Sequence, residues 1–208
     1  MATVILMLQL TTRDVEKIVA IVFDVPDHDL LALRARLENL RKKGCPSGLA
    51  TGRGKVARFD FQQLTDLSVA LALIDAGLSP EYAALAVEDM DGLSQRCFAL
   101  LGAKELGRGG LGRALEAGYW PIDGSVTARC SVHRLLGNPG DEAIRIATWA
   151  ISSSGARQPS DTGLSAAHID FGTLFIRLIH AIAEIRGHDG VELAVDVLNR
   201  LEDDGIGS

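Results

Sequence analysis

The sequence predicts a mainly α-helical protein, and three observations lead to this prediction. Alanine and leucine dominate a chain of 208 residues, whereas aromatic residues make up only 5% of it, and this composition favours helices. Apolar residues recur three and four positions apart in several segments, which is the spacing of one helix face. Residues that cap or end helices flank those segments. With 47% hydrophobic residues, the chain can bury a core in one large domain or two small ones.

Two helices separated by a short turn are predicted first. Residues 11–23 carry an apolar stripe, with Thr12 as the predicted cap. Pro26 ends this helix, and a second helix is predicted from about Asp29 to Lys43, with leucines along one face and Gly44 as its stop. Two helices a turn apart, the second of them basic, form a helix-turn-helix pattern.

A glycine-rich loop, a strand and two more helices follow. Residues 45–55 are broken by proline and three glycines, and residues 56–61 alternate in type as a strand does. Asp60, with Gln63 three residues later, predicts a capping box that begins a third helix. The dipeptide Ser79-Pro80 predicts the start of a fourth helix, which continues to about residue 89.

The composition changes near residues 90–105, so we predict one domain at 1–90 and a second at 91–208. The second domain begins with a glycine-rich and serine-rich region, in which residues 141–151 are the best candidate for a helix. One long helix is predicted from about Ser165 to Arg186, and a last helix from Val191 to Leu201. The second domain is therefore predicted to be helical after a loop-rich start.

Positive charge is concentrated between Arg34 and Arg58. This stretch contains eight cations and one acid, so its net charge is +7 in a chain whose net charge is −6, and the remaining residues carry −13. The sequence pI of about 5.3 argues against a general coat for nucleic acid, but one local basic face is compatible with binding an anion.

The position of these charges indicates the phosphate backbone of DNA as the anion. Arg36 and Asn39 have the chemistry to read guanine and adenine edges from a helix in the major groove. Glycines near the loop tip allow close approach to phosphates, which long cations neutralise. An ordinary solvated helix face and an exposed hairpin are the alternatives. The predicted DNA-binding residues are His28, Arg34, Arg36, Asn39, Lys42, Lys43, Arg53, Lys55 and Arg58.

Residues 11–90 resemble the winged-helix domain of MerR-type transcription regulators. The resemblance rests on the helix-turn-helix, the basic loop that ends in Arg-Phe-Asp at 58–60, the Leu-Thr-Asp-Leu at 64–67 and the Ala-Gly-Leu-Ser-Pro-Glu at 76–81. It implies a winged helix-turn-helix with a small β-hairpin wing, in which residues 28–43 form the recognition helix and Arg53, Lys55 and Arg58 are wing contacts. The sequence departs from the family in three ways. Its second helix is longer, a Leu-Arg-Tyr-Tyr-like segment is absent, and no long uninterrupted dimerisation helix follows residue 90.

Other chemistry has weaker support in the sequence. Residues 107–112 match a Gly-x-Gly-x-x-Gly pattern, but the segment before them reads as a helix, whereas a dinucleotide site needs a strand there. The five histidines and three cysteines are scattered without zinc spacing. We therefore expect no enzyme activity, no metal site and no cofactor.

The apolar stripe at 165–186 has two readings, a homodimer interface and the core of its own small domain, and we favour the dimer. Tyr119, Trp120 and Trp149 are candidates to line a pocket for an unknown effector. The apolar start of the chain lacks a basic leader and no run is long enough for a membrane span, so a cytoplasmic protein is expected. The sequence thus predicts a dimeric, sequence-specific regulator of transcription that binds double-stranded DNA, more a repressor than an activator. The alternative is an adaptor whose basic face binds an acidic protein.

Overall fold

The computed structural model describes residues 8–49, 56–90, 97–98, 103–119, 127–132, 147–152 and 166–205. The described part is mainly helical, as the sequence predicts. The chain begins with strand β1 (Leu10–Thr11) and helix α1 (Thr12–Val22), and a short 3-10 turn (Asp27–Asp29) leads into α2 (Leu30–Lys42). The cap of α1 is Thr11, one residue before the predicted cap Thr12, because the side chain of Thr11 accepts a hydrogen bond from the backbone N–H of Asp14.

The next segment contains strand β2 (Arg58–Phe59), α3 (Phe61–Asp75) and α4 (Pro80–Glu88). The predicted capping box at Asp60 and Gln63 is present, and Ser79 caps α4 with proline in its first turn. Strand β2 is shorter than predicted and pairs antiparallel with β1, so that Leu10 lies opposite Phe59. Among residues 44–49 and 56–59 the structure contains no hairpin partner for β2, and the predicted wing tip at 51–55 lies outside the described residues.

The C-terminal half is not purely helical, which corrects the prediction. It contains α5 (Ala103–Ala117), the strands β3 (Thr127–Val132), β4 (Ala147–Ser152) and β5 (Ala166–Asp170), and the helices α6 (Phe171–Arg186) and α7 (Gly190–Gly205). The three strands form an antiparallel sheet in the order β4-β3-β5.

Two predicted helices in this half are therefore wrong in whole or in part. The predicted helix at 141–151 is a strand over its described residues, and the long helix begins at Phe171 instead of Ser165, because residues 166–170 belong to β5. Pairing with the distant strand β3 overrides the local apolar spacing in both places. The end of α6 agrees with the prediction, since Gly187 terminates it in the left-handed conformation.

One hydrophobic core includes residues from both halves of the chain. Helix α1 packs against α6, and the buried side chains Ile18, Val19, Phe175 and Ile179 belong to the same cluster. The division at residue 90 stays a prediction, but the two predicted domains share this core. Among the described helices, none combines the length and apolar character that crossing a membrane requires.

Candidate functional site

Helix α2 presents one apolar face to the core and one polar face to solvent. Leu33, Leu37 and Leu40 are buried against the rest of the protein, as their spacing of four and three residues predicts. The side chains on the other faces are exposed, including the small residues Ala32 and Ala35. The predicted recognition helix is therefore accessible along most of its length.

Three of the predicted cations, on α2 or at its C-terminal cap, form ion pairs with carboxylates. Arg34 Nε lies 2.9 Å from Glu16 of α1, Lys42 Nζ lies 3.0 Å from Glu38, and Lys43 Nζ lies 3.7 Å from Glu81 of α4. The hydrogen bond from Lys42 lowers the pKa of Glu38. These pairs are exposed or partly exposed to solvent, so water screens them and they contribute little to stability.

Two polar side chains on the exposed face of α2 have no partner among the described residues. These are Arg36 and Asn39, which lie three positions apart and so share one face of the helix. The ring nitrogen Nε2 of His28 lies 3.6 Å from the carboxylate of the neighbouring residue Asp29, and both side chains are exposed. Arg36 and Asn39 are thus the two predicted base-reading residues whose hydrogen-bonding groups remain available.

The basic segment after α2 is held at both of its ends. Gln63 Nε2 of α3 donates a hydrogen bond to the Ser47 carbonyl over 3.2 Å, and β2 is fixed to β1 by strand pairing. Alternation along β2 buries Phe59 and exposes Arg58, which has no partner among the described residues. Arg53 and Lys55 lie outside the described residues, so the structure does not place them.

Sequence reasoning missed two features of this surface. Glu16 and Glu81 approach the basic helix from other helices, and their distance along the chain gave no signal that they would reduce its positive charge. Leu31, in the first turn of α2, is 77% exposed. An exposed aliphatic group beside Ala35 can contact a thymine methyl group in a major groove.

The predicted sites in the C-terminal half find less support. The apolar residues of α6, such as Leu178 and Ile182, are buried inside the single chain, so this stripe packs in the protein's own core and is not a free dimer interface. Tyr119 is 54% exposed, Trp120 lies outside the described residues, and nothing is described of the Trp149 side chain. The glycines at 107–112 lie within α5, where Gly107 interrupts the helical geometry.

Neither a group of metal ligands among the described residues nor a known relative indicates a function for this chain. Within the part of the chain that the structure describes, no three His, Cys, Asp or Glu side chains are grouped to hold a metal ion. Comparison with known protein families, curated proteins and solved structures finds no match for this chain. The geometry and charge of the α2 surface are therefore the basis for a functional proposal.

Proposed function

We propose that the protein is a sequence-specific DNA-binding regulator of transcription, with α2 as its recognition helix. The observation that carries the proposal is the exposed face of α2, where Arg36 and Asn39 have no partner among the described residues. Bidentate contacts from these two residue types discriminate guanine and adenine from other bases. The +7 stretch around them supplies sequence-independent attraction to phosphates.

The regulator acts as a winged helix-turn-helix of the MerR type in this proposal. Arg53, Lys55 and Arg58 contact phosphates from the wing, and the ion-paired cations of α2 exchange a carboxylate for a phosphate on binding. A homodimer doubles the contact set by occupying two half-sites, and it uses a surface other than the buried stripe of α6. Repression is favoured over activation because blocking a promoter requires only binding.

Selection of bound sequences from a random pool of duplex DNA tests the proposal. We expect enrichment of a site with two half-sites and an affinity that falls as salt concentration rises. Arg36→Ala and Asn39→Ala should each alter the preferred sequence and weaken binding to the selected site by about 1–3 kcal/mol. Replacement of Arg53 and Lys55 by Glu should weaken binding to all sequences alike.

Arg113→Ala is the matched control, because Arg113 is an exposed arginine on α5, outside the basic stretch. It should leave both affinity and sequence preference unchanged. If no sequence is enriched, or if Arg36→Ala and Arg113→Ala behave alike, α2 does not read DNA.

An acidic protein partner is the second candidate, and the ion pairs favour it. Arg34, Lys42 and Lys43 already bind carboxylates of Glu16, Glu38 and Glu81, which an acidic peptide can replace. A gel-shift titration with random duplex DNA at low salt separates the two functions. DNA binding supports the regulator, and its absence together with capture of a poly-glutamate peptide supports the adaptor.

A further inference from the structure

A cavity of about 500 Å³ lies beneath the turn that follows α2, against α3 and α4. This volume is within the range of small-molecule sites. Its wall combines apolar or weakly polar side chains with two carboxylates, an amide and the side chain of Lys43; the other residues concerned are Cys45, Gln62, Asp66, Val87, Glu88 and Met90. The cavity is separate from the exposed face of α2.

Asp66 is the most unusual group in this wall. It is only 8% exposed, although carboxylates are rarely buried without a full set of partners. Gln62 Nε2, one helical turn earlier, donates to its Oδ1 atom over 2.8 Å. No described residue donates a hydrogen bond to Oδ2. Oδ2 is not among the fully buried atoms that lack a partner, so it lies at the surface of the cavity, where no described residue supplies a donor to it.

The charges around Asp66 do not neutralise it. Burial raises the pKa of Asp66 to about 6, the negative charge of Asp60 adds to this effect, and the hydrogen bond from Gln62 opposes it. Lys43 lines the same cavity, but its ammonium lies 3.7 Å from the carboxylate of Glu81. At neutral pH the cavity therefore contains an ionised carboxylate that has no cation paired with it among the described residues.

The second carboxylate and the apolar wall define the ligand further. Glu88 is an exposed residue that also lines the cavity, so both acidic groups disfavour an anion. Val87 and Met90 are buried and offer a hydrocarbon surface. Burial also raises the pKa of the Cys45 thiol to about 12, with a contribution from Asp66, so this thiol adds no negative charge to the wall at physiological pH.

We propose that this cavity binds a small organic ammonium ion. The cationic nitrogen donates to Oδ2 of Asp66, and the hydrocarbon part packs against Val87 and Met90. A metal ion fits the site poorly, because no group of three His, Cys, Asp or Glu ligands exists among the described residues. The proposal does not depend on DNA binding, because Asp66, Val87 and Met90 are absent from the predicted DNA surface, although Lys43 of that surface also lines the cavity.

Fluorine NMR titration with 4-fluorobenzylammonium tests the proposal on the full-length protein at neutral pH. We expect saturable binding in the millimolar range or tighter. The neutral isostere 4-fluorobenzyl alcohol should bind about tenfold or more weakly, because it leaves the buried carboxylate without a charged partner. This comparison uses the unmodified protein, so it does not depend on the folding of a variant.

Two variants of α3 localise the binding. Asp66→Asn keeps the shape of the side chain and removes its charge, and it should weaken the ammonium about tenfold or more. Asp75→Asn makes the same chemical change on an exposed residue of the same helix, outside the cavity, and should leave affinity unchanged. The proposal is overturned if the ammonium does not saturate the protein, if the alcohol binds equally well, or if Asp66→Asn retains full affinity.

Discussion

Two regions of the protein differ in whether their charged groups have partners within the protein. One is the seam between α1 and α6, and the other is the region formed by α2, α3 and α4. At the seam, two arginines of α6 each contact one backbone carbonyl and one carboxylate of the α1 region. Arg177 Nη1 donates to the Val22 carbonyl and the Asp24 carboxylate, both over 2.9 Å, and Arg186 Nη2 donates to the Gln9 carbonyl and the Asp14 carboxylate, both over 3.0 Å. These arginines hold two distant parts of the chain together.

In the region of α2, α3 and α4, several polar groups lack such partners among the described residues. Arg36 and Asn39 face solvent, and Oδ2 of Asp66 faces a cavity. At the seam, groups of the protein itself accept the hydrogen bonds of the two arginines. In the second region, a cation, an amide and one carboxylate oxygen remain available to bind external molecules. Both proposals rest on this difference, and three substitutions test it.

The largest expected effect comes from the apolar core against which α6 packs. Phe175 of α6 is fully buried, and its ring centroid lies 5.3 Å from that of Phe98 and 6.3 Å from that of Phe61. Phe175→Ala should lower the free energy of unfolding by about 3–5 kcal/mol, because it removes a buried ring and leaves a cavity. Urea denaturation followed by circular dichroism measures this loss.

Tyr119→Ala provides the control for Phe175→Ala. Tyr119 is more than half exposed, so its removal should change the free energy of unfolding by no more than about 0.5 kcal/mol. Equal effects of the two substitutions would contradict a core shared by α6 and the N-terminal helices.

A smaller effect of opposite sign is expected at Asp66. Its pKa is raised from 3.8 to about 6, mainly by burial, so folding favours the protonated form. The wild-type protein therefore loses up to about 3 kcal/mol of stability as the pH rises from about 4 through 6. Asp66→Asn removes this penalty, and it should be more stable than the wild type above pH 6, with the difference shrinking towards pH 4. Denaturation curves over this pH range provide the measurement.

The exposed residue Asp75 again gives the matched comparison. Asp75→Asn should change the free energy of unfolding by no more than about 0.5 kcal/mol, because this side chain is not buried. If the difference in free energy of unfolding between Asp66→Asn and the wild type stays constant across the pH range, then ionisation of Asp66 does not destabilise the folded protein.

Local features of the fold were predictable from the sequence because their causes lie within a few residues. The capping box at Asp60 and Gln63, the start of α4 at Ser79-Pro80 and the glycine that ends α6 each depend on neighbours in the chain. The buried face of α2 follows from leucine spacing alone. The exposed positions of Arg36 and Asn39 follow from the same helical period.

Features that depend on distant parts of the chain were not predictable. Strand β4 reads locally as a helix, and it becomes a strand by pairing with β3. The sequence does not reveal that Glu16 and Glu81 meet the basic helix. The sequence marks Asp66 only as part of the Leu-Thr-Asp-Leu segment, because the cavity that it lines is formed with the turn after α2 and with α4.

The smallest expected effect compares an arginine of the seam with an arginine of α2. Burial raises the pKa of Asp14, but hydrogen bonds from Thr11 and the charge of Arg186 outweigh this effect and lower it. Arg186→Ala removes that charge and the bond to the Gln9 carbonyl, so unfolding should become easier by about 1–2 kcal/mol at neutral pH, after allowance for solvent screening. Because ionised Asp14 stabilises the folded state, this difference should shrink as the pH falls through its lowered pKa.

Arg36→Ala also replaces an arginine by alanine, but Arg36 has no partner among the described residues. This substitution should therefore alter the free energy of unfolding by no more than about 0.5 kcal/mol. Urea denaturation of both variants, with an NMR titration of the Asp14 carboxyl group, tests the contrast. If Arg36→Ala destabilises the protein as much as Arg186→Ala, then Arg36 has a structural role and is not held available for a ligand. If Arg186→Ala instead leaves the pKa of Asp14 unchanged, the ion pair between Arg186 and Asp14 does not help to hold the seam.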